Sequence, residues 1–584
     1  MKEMSHAFFE NKDCEYYPCH KGVDEINCLF CYCPLYNLAD CPGNPSYKEK
    51  DGRIIKVCTN CIFPHKRENY KKVTEAVKKR YTKGQDTGEK RALLPRVMLA
   101  GTGSGTGKTL ISSAIMRICT QRGLKVAPFK CGPDYIDPMY HRLATGYGMQ
   151  AMDEDGNIAP GGNLDTFFTD RDTTIRLLYE GMLIPDDKSL DGGTGIDAPF
   201  AVTGGGLADI AVIEGVMGLY DGLGGTKAEG SSYDVAAVTN TPIILIVDGK
   251  GAGRSVAATI KGFLEYDTKG LIKGVILNRV SPMYFERLKA IIEGELGIRV
   301  AGYVPYDERL TIGSRHLGLI TPDTVDHADT EASDKSKEYA EYPEGVCDVY
   351  HIADAAADIM IQSIDMDIVT DIAHRAGGLN AKAYDRSLEV SLTGKRAAIK
   401  SLAVAMDEAF CFYYRENLRM LRDSGIKLIP FSPVHDSAIP KGADGLLLGG
   451  GYPEEYLKEL SDNKSMRDSV RKFMEDGGYI IAECGGFMYL HEKIGDKEGK
   501  LYDMAGVLPG ICEWTGKLVR FGYIELNGSG IKAKGHEFHY YDSSANGEDI
   551  GVIKAGNGRE YRAMYDNDSM LAGFPHLYYP SCVR

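Results

Sequence analysis

Three short stretches of this 584-residue chain bring together residue types that do chemistry. In AGTGSGTGKTL, the interval from Gly101 to Gly107 is one residue longer than the usual P-loop spacing, and Lys108 and Thr109 follow directly. Gly103, Gly105 and Gly107 let successive backbone N–H groups point at phosphate oxygens. Lys108 can reach the terminal phosphates of a nucleoside triphosphate, and the Thr109 hydroxyl can ligate Mg²⁺ at the start of the next helix. Such a site also needs carboxylates, because the metal bridging the phosphates takes hard oxygen ligands.

CGPDYIDPMYH sets Asp134 and Asp137 between Pro133 and Pro138, which hold φ and remove backbone donors. It is expected to be a shaped turn rather than a helix interior, and taken alone it reads as a solvated turn. Glu214 ends the strand-like run ADIAVIE, and Asp221 follows in GVMGLYDG. Four carboxylates at strand ends beside one P-loop describe a Mg²⁺ and acceptor site.

The third stretch, GYIIAECGGFMYL, reads as a buried strand, a sharp turn at Cys484, and a helix opening on Gly485 and Gly486. That is the outline of a nucleophile elbow, where the helix N-terminus favours a thiolate. An isolated buried cysteine is more often plain core. Two further segments argue for chemistry: LLLGGGYPEEY offers the N–H groups of Gly450 and Gly451 as an oxyanion hole, and AGFPHLYYPS supplies His576 as a base.

The cysteines are unevenly distributed. Eight of the fifteen, at positions 14, 19, 28, 31, 33, 41, 58 and 61, lie in the first 61 residues. In a cytosolic chain such clustering speaks for metal rather than disulfides. Cys28, Cys31 and Cys33, then Cys41, then Cys58 and Cys61 carry spacings that turn pairs of thiolates onto one tetrahedral ion, so zinc is expected ahead of an iron–sulfur cluster or redox thiols. With Cys14 and Cys19 the eight fill two sites, or His20 and His65 replace some thiolates.

The elements that must hold these residues show in the apolar runs. RVMLA, KVAPFK, ADIAVIEG, TPIILIVDG and LIKGVILN, separated by helical patterns, suggest buried parallel strands. SLAVAMDEAF, KLIPFSP, GLLLGGG and GYIIAECGG suggest a second α/β unit. The expected order is a Cys-rich zinc domain over 1–65, a basic solvated linker over 66–95, and a P-loop domain over 96–320. An acidic insertion with a helical linker over 321–399 and a second α/β domain over 400–584 follow. No apolar run is long enough for a membrane helix, and the N-terminus lacks a signal-peptide core, so a cytoplasmic protein is expected. A net charge of -14 argues against non-specific nucleic-acid binding, and a homo-oligomer is left open.

GTGSGTGKT, KCGPDYIDPMYH, NLDTFF, VIEGVMGLYDG and RHLGL, in this order, resemble the cobyrinate a,c-diamide synthase family. The longer loop spacing is shared with dethiobiotin synthetase-like proteins, and the segments around Cys484 and His576 resemble the class I glutamine amidotransferase domain of the cobyrinate and cobyric acid synthase type. The resemblance implies an α/β fold: a P-loop NTPase-like parallel-sheet domain plus a glutamine amidotransferase domain, preceded here by the small Cys-rich domain. It further implies that ATP phosphorylates a carboxylate of a tetrapyrrole and that ammonia from glutamine displaces the phosphate. Carried over by motif, Asp134, Asp137 and Glu214 order metal and phosphate, while Tyr135 and Ile136 face the tetrapyrrole. Many class I relatives place a Glu two residues after the histidine; Tyr578 stands there, which leaves open what orients His576. His536 and His539 in GHEFHYYD are read as structural or interdomain residues. A nickel-sirohydrochlorin a,c-diamide synthase shares these motifs. A non-catalytic regulator or metallochaperone would be expected to lack Lys108 or Cys484, and both are present.

Overall fold

The computed structural model describes residues 8–20, 25–30, 33, 35, 41–50, 53–58, 61–75, 91–92, 94–184, 206–310, 353–380, 399–528 and 532–582. Cys31, the RHLGL motif and most of the acidic insertion lie outside the described residues. The chain divides into two compact units, Met1–Arg91 with Asn380–Lys382, and Ala92–Leu379 with Ala383–Arg584.

In the larger unit the first sheet has seven strands. They are β1 (Arg96–Gly101), β2 (Val126–Cys131), β3 (Gly162–Leu164), β4 (Ile210–Gly218), β5 (Ile243–Asp248), β6 (Ile272–Asn278) and β7 (Arg299–Val304). Their order is β7-β6-β5-β1-β4-β2-β3, and every pairing is parallel. Parallel strands are covered on both faces, which explains why β1, β2 and β5 are unbroken apolar runs rather than alternating ones. The chain leaves β1 toward β2 on one side while β5 lies on the other, so the carboxyl ends open a crevice at β1. Two helices start there: α1 (Lys108–Gln121) after the glycine loop and α2 (Ile136–Ala144) after β2. The expected turn at Ile136 is therefore a helix start. Pro138 fits it because first-turn N–H groups have no acceptor within the helix.

The second α/β region holds β8 (Ser401–Ala405), α3 (Arg415–Asp423), β9 (Lys427–Phe431), β10 (Gly445–Leu448), β11 (Tyr479–Glu483) and α4 (Gly485–Leu490). Further along lie β12 (Arg520–Asn527), β13 (Lys532–His539), β14 (Ile550–Lys554), β15 (Glu560–Ala563), β16 (Tyr565–Asp566), β17 (Met570–Gly573) and β18 (His576–Tyr578). One sheet runs β9-β8-β10-β11-β17-β16, parallel except at β16. A second, β15-β14-β12-β13-β18, is antiparallel throughout. The sequence reading does not anticipate that second sheet, because its strands are polar and half-exposed rather than apolar runs.

α3 locks the two α/β regions together. Arg415 donates to the carbonyls of Pro160 and Pro128, and Arg419 donates to Ala159 O at 2.7 Å and Gly161 O at 2.8 Å. Glu416 Oε1 accepts from the Asn163 N–H at 2.7 Å. Buried guanidinium groups are costly unless paired, and here backbone carbonyls of the β2–β3 region supply the partners.

In the smaller unit, a hairpin pairs Ser46–Lys50 with Arg53–Val57. Val73 is buried and Tyr70 stacks on Phe30 with ring centroids 5.7 Å apart, so the packing of this unit continues past residue 65. An apolar residue and an aromatic one hold there what the basic composition suggests is a solvated linker.

Candidate active site

The glycine loop leaves β1 in the crevice. Gly107 caps α1 with φ 86°, and the Asn278 side chain from β6 donates to Thr106 O at 2.8 Å, filling the space a side chain at 107 would need. Lys108 Nζ donates to Gly103 O at 2.9 Å within the same loop. Burial, helped by the nearby Lys130 ammonium, pulls Lys108 down to about 8. Gly103 and Gly105 have open space where a side chain would begin. Asp221 Oδ2 accepts from the Gly218 N–H at 3.0 Å, which closes the turn after β4 next to the loop.

The centre of this site is a buried charge cluster. Glu214, at zero exposure on β4, accepts from the Thr109 hydroxyl at 2.9 Å, from Lys130 Nζ at 2.8 Å and from His141 Nε2 at 2.6 Å. Lys130 also donates to Asp137 Oδ2 at 2.6 Å. Burial would strip the proton from Lys130, but Asp137 and Glu214 outweigh it and hold the ammonium well above its usual range. Asp134 has a different role: its Oδ1 accepts from the N–H groups of Ile136 and Asp137 at 2.8 and 3.3 Å, capping α2. Burial and then the neighbouring Asp137 raise its carboxyl. Lys130 and His141 are absent from the sequence reading. A lysine ending an apolar strand and a histidine one turn into the next helix were the available signals.

Among the described residues no group of three or more His, Cys, Asp or Glu side chains is placed to hold a metal ion. Thr109 and Glu214 nevertheless sit side by side, and that donor set suits Mg²⁺. In nucleotide sites Mg²⁺ takes one or two protein oxygens beside phosphate oxygens and water.

At the second site, Cys484 has φ 47° and ψ −104°, a strained turn between β11 and α4. The turn is possible because α4 packs tightly: a side chain at Gly486 would overlap Leu448, and one at Gly485 would press on Pro453 and the Gly451 N–H. Gly450 touches the His576 ring, which a side chain at 450 would displace. Cys484 is 8% exposed, and burial with Glu454 next pushes its thiol up rather than down. Against the thiolate expected at a helix end, α4 has only six residues, and among the described residues the Gly485 N–H is the one influence that favours the charged form.

His576 is buried, and burial holds its imidazole neutral. His536 is its direct cross-strand partner on β13, and the two rings stack 5.0 Å apart at 14°. Gly535 makes that pairing possible, since a side chain there would overlap the His576 carbonyl. The Tyr414 hydroxyl lies 3.1 Å from His536 Nδ1. His539 Nδ1 instead lies 2.7 Å from the Tyr541 carbonyl and stacks on Phe574. Tyr578 turns away from the site and donates to Asn163 O at 3.1 Å.

The two sites meet at one residue. Tyr135, directly after Asp134, is buried: it stacks on Phe412 at 5.1 Å and packs at tilted angles against Tyr414 at 4.5 Å, His536 at 5.5 Å and His576 at 5.1 Å. Its ring is therefore enclosed by protein rather than open to a substrate, because the α3 clamp brings these aromatics against α2. Ile136 remains half-buried.

In the Cys-rich unit, burial raises the Cys33 thiol against a hydrogen bond from the Leu35 backbone, and Cys41, Cys58 and Cys61 add to the rise. The sulfurs of Cys41 and Cys61 both border Gly43. The His20 and His65 rings lie 4.3 Å apart at a tilt of 35°, with Cys19 Sγ 3.2 Å from His20 Nδ1.

Comparison with known proteins matches three segments of the chain. Residues 5–87 match a cysteine-rich small domain, residues 97–320 the CobQ/CobB/MinD/ParA nucleotide binding domain, and residues 401–581 the CobB/CobQ-like glutamine amidotransferase domain. The cobyrinate a,c-diamide synthase of Fusobacterium nucleatum subsp. nucleatum is 36% identical over 492 residues, covering 82% of this chain and 97% of that protein. That of Caldanaerobacter subterraneus subsp. tengcongensis is 36% identical over 491 residues, covering 82% of this chain and 94% of that protein. Thermoplasma volcanium has one 36% identical over 455 residues, covering 76% and 85%. With a P-loop sheet, a cysteine elbow and relatives matched over nearly their whole length, the chain belongs to the cobyrinate a,c-diamide synthase family.

Proposed function

We propose that the protein is an ATP-dependent carbon–nitrogen ligase that amidates the a and c carboxylates of cobyrinate with ammonia drawn from glutamine. The observation that carries this reading is the meeting of a P-loop charge cluster and a cysteine elbow at Tyr135, inside one compact unit. Gly103, Gly105, Gly107 and Lys108 bind the triphosphate, with Thr109, Glu214, Asp137, Asp134 and Asp221 around it. Thr109 and Glu214 would hold Mg²⁺, which when bound would supply charge neutralisation for the phosphates. A substrate carboxylate takes the terminal phosphoryl group, ammonia attacks the acyl phosphate, and phosphate leaves. Ile136, the more accessible of the pair, contacts the tetrapyrrole, while Tyr135 partitions the two sites.

In the glutamine half-reaction His576 takes the Cys484 thiol proton as sulfur attacks the carboxamide, then returns it to the departing ammonia. The N–H groups of Gly450 and Gly451 face the developing oxyanion, and water releases glutamate from the thioester. The Cys-rich unit holds zinc through its grouped thiols, and the setting is cytoplasmic. No helix among the described residues is long and apolar enough to cross a membrane.

Purified protein with ATP, glutamine and cobyrinate should give a product with two added amide groups by mass. A parallel reaction with a nickel sirohydrochlorin identifies the macrocycle: amidation of the nickel compound alone would overturn cobyrinate as substrate, and amidation of neither would overturn the reading.

A further inference from the structure

The glutaminase dyad lacks an acid two residues after His576, yet a carboxylate lies on its other side. Glu483 ends β11 immediately before Cys484, and its Oε2 is 3.9 Å from His576 Nδ1. Both side chains are buried, at 8% and 3% exposure. His576 Nδ1 is itself enclosed and without a hydrogen-bond partner in the resting structure. Glu483 Oε1 is held from behind by the Tyr579 hydroxyl at 3.3 Å, and the Asn417 side chain fixes the Tyr579 N–H at 2.8 Å. We propose that Glu483 is the positioning carboxylate of the glutaminase site. It accepts a hydrogen bond from His576 Nδ1–H and so leaves Nε2 as the nitrogen that takes the Cys484 proton.

The physical argument is one of tautomer and charge. An imidazole whose Nδ1–H faces a carboxylate presents its lone pair at Nε2, and the carboxylate stabilises the imidazolium formed when the thiol ionises. Among the described residues the carboxylate paired with this imidazole is Glu483, while Tyr578 points to Asn163 and neutral His536 covers the face of the ring. Burial raises Glu483 to about 8, so the role belongs to its ionised form, in which the carboxylate accepts from Nδ1–H and is stabilised in turn by the imidazolium. A gap of 3.9 Å closes by a small rotation of either side chain as glutamine fills the site. The acid has thus moved from the strand that carries the base to the strand that carries the nucleophile.

This inference rests on the glutaminase reading of Cys484, so the test separates the two. Glutamine hydrolysis by the parent protein, measured as glutamate release, checks that reading on its own; Cys484→Ala must abolish it. Glu483→Gln should then lower kcat for glutamine hydrolysis about 10²-fold with KM within about threefold, less than the loss for an acid hydrogen-bonded at rest. Amidation from added ammonium salts should stay near the parent rate, which reports an intact fold. Unchanged kcat in Glu483→Gln, or a loss confined to KM, overturns the proposal. If that variant loses ammonia-dependent synthesis as well, Glu483→Asp decides. Its carboxylate keeps the charge one methylene further from the ring, so an intermediate kcat supports the assignment and a parental kcat overturns it.

Discussion

The two catalytic regions handle charge in opposite ways. Around the P-loop, Lys130, Asp137, Glu214 and His141 form a closed, mutually hydrogen-bonded cluster in which each charge has a partner. Around the elbow, Cys484, His576 and Glu483 are also buried, burial works against the charged form of each, and His576 Nδ1 has no hydrogen-bond partner. A site that receives a polyanion must have its cations and carboxylates fixed beforehand. A site built for a neutral carboxamide has no such need before the reaction creates charge.

The sharpest way to separate the regions is Cys484→Ala. Glutamine-dependent amidation should fall on the order of 10⁴-fold or more, while synthesis from ammonium salts persists, because the acyl phosphate is made elsewhere. Loss of both activities in a folded variant would break the contrast. Next in size is Lys130→Met, which leaves Asp137 and Glu214 without their shared ammonium. Synthesis should drop about 10²–10³-fold with either nitrogen source, and the fold should lose roughly 3–5 kcal/mol, as buried ion pairs do when one partner is removed. Near-normal ammonia-dependent synthesis would mean that the cluster is not part of the ligase site.

A smaller effect tests the seam between the regions. Asp165 is raised to about 6 by burial, although the Tyr523 hydroxyl bonds it at 2.6 Å. Its folded value exceeds its unfolded value of about 4, so the folded state holds the proton more tightly. Stability from this group is present below pH 4 and is lost as pH rises toward 6. Asp165→Asn should remove that slope, seen as a gap in melting temperature from the parent protein that changes by about 2–4 °C across the window and is flat above it. A gap independent of pH would refute the assignment. Least affected should be a truncated chain beginning at Arg91. Amidation should stay within about twofold of the full chain while bound zinc disappears, since the Cys-rich unit is compact in itself. Unchanged metal content, or a folded but inactive product, would count against that independence.

Local segments were readable without coordinates because each is continuous in the chain. The apolar runs, the glycine loop with Lys108 and Thr109, and the strand, cysteine and glycine pair at 479–486 all signal their own backbone shape. That the strands of the first sheet are parallel followed from that alternation of strand and helix, but their order, and the strands β3 and β7, did not. The antiparallel sheet carrying His536 and His576 was not readable, because its strands declare themselves only through pairing partners tens of residues away. The same limit hid Lys130 as the shared partner of Asp137 and Glu214, 7 and 84 residues distant.

Sequence alone therefore determined which chemistries this chain carries: phosphate binding, carboxylates at strand ends, a thiol on an elbow, and clustered thiols in a separate head. Tertiary structure decided how those groups are used. It turned Asp134 partly into a helix cap, enclosed the Tyr135 ring among aromatics from the other region, buried the Cys484 thiol so that its pKa rises, and set Glu483 beside His576. The reason is physical: residue type fixes what a group can do, but its charge state and partners depend on burial and on neighbours that only the folded chain brings within a few ångströms.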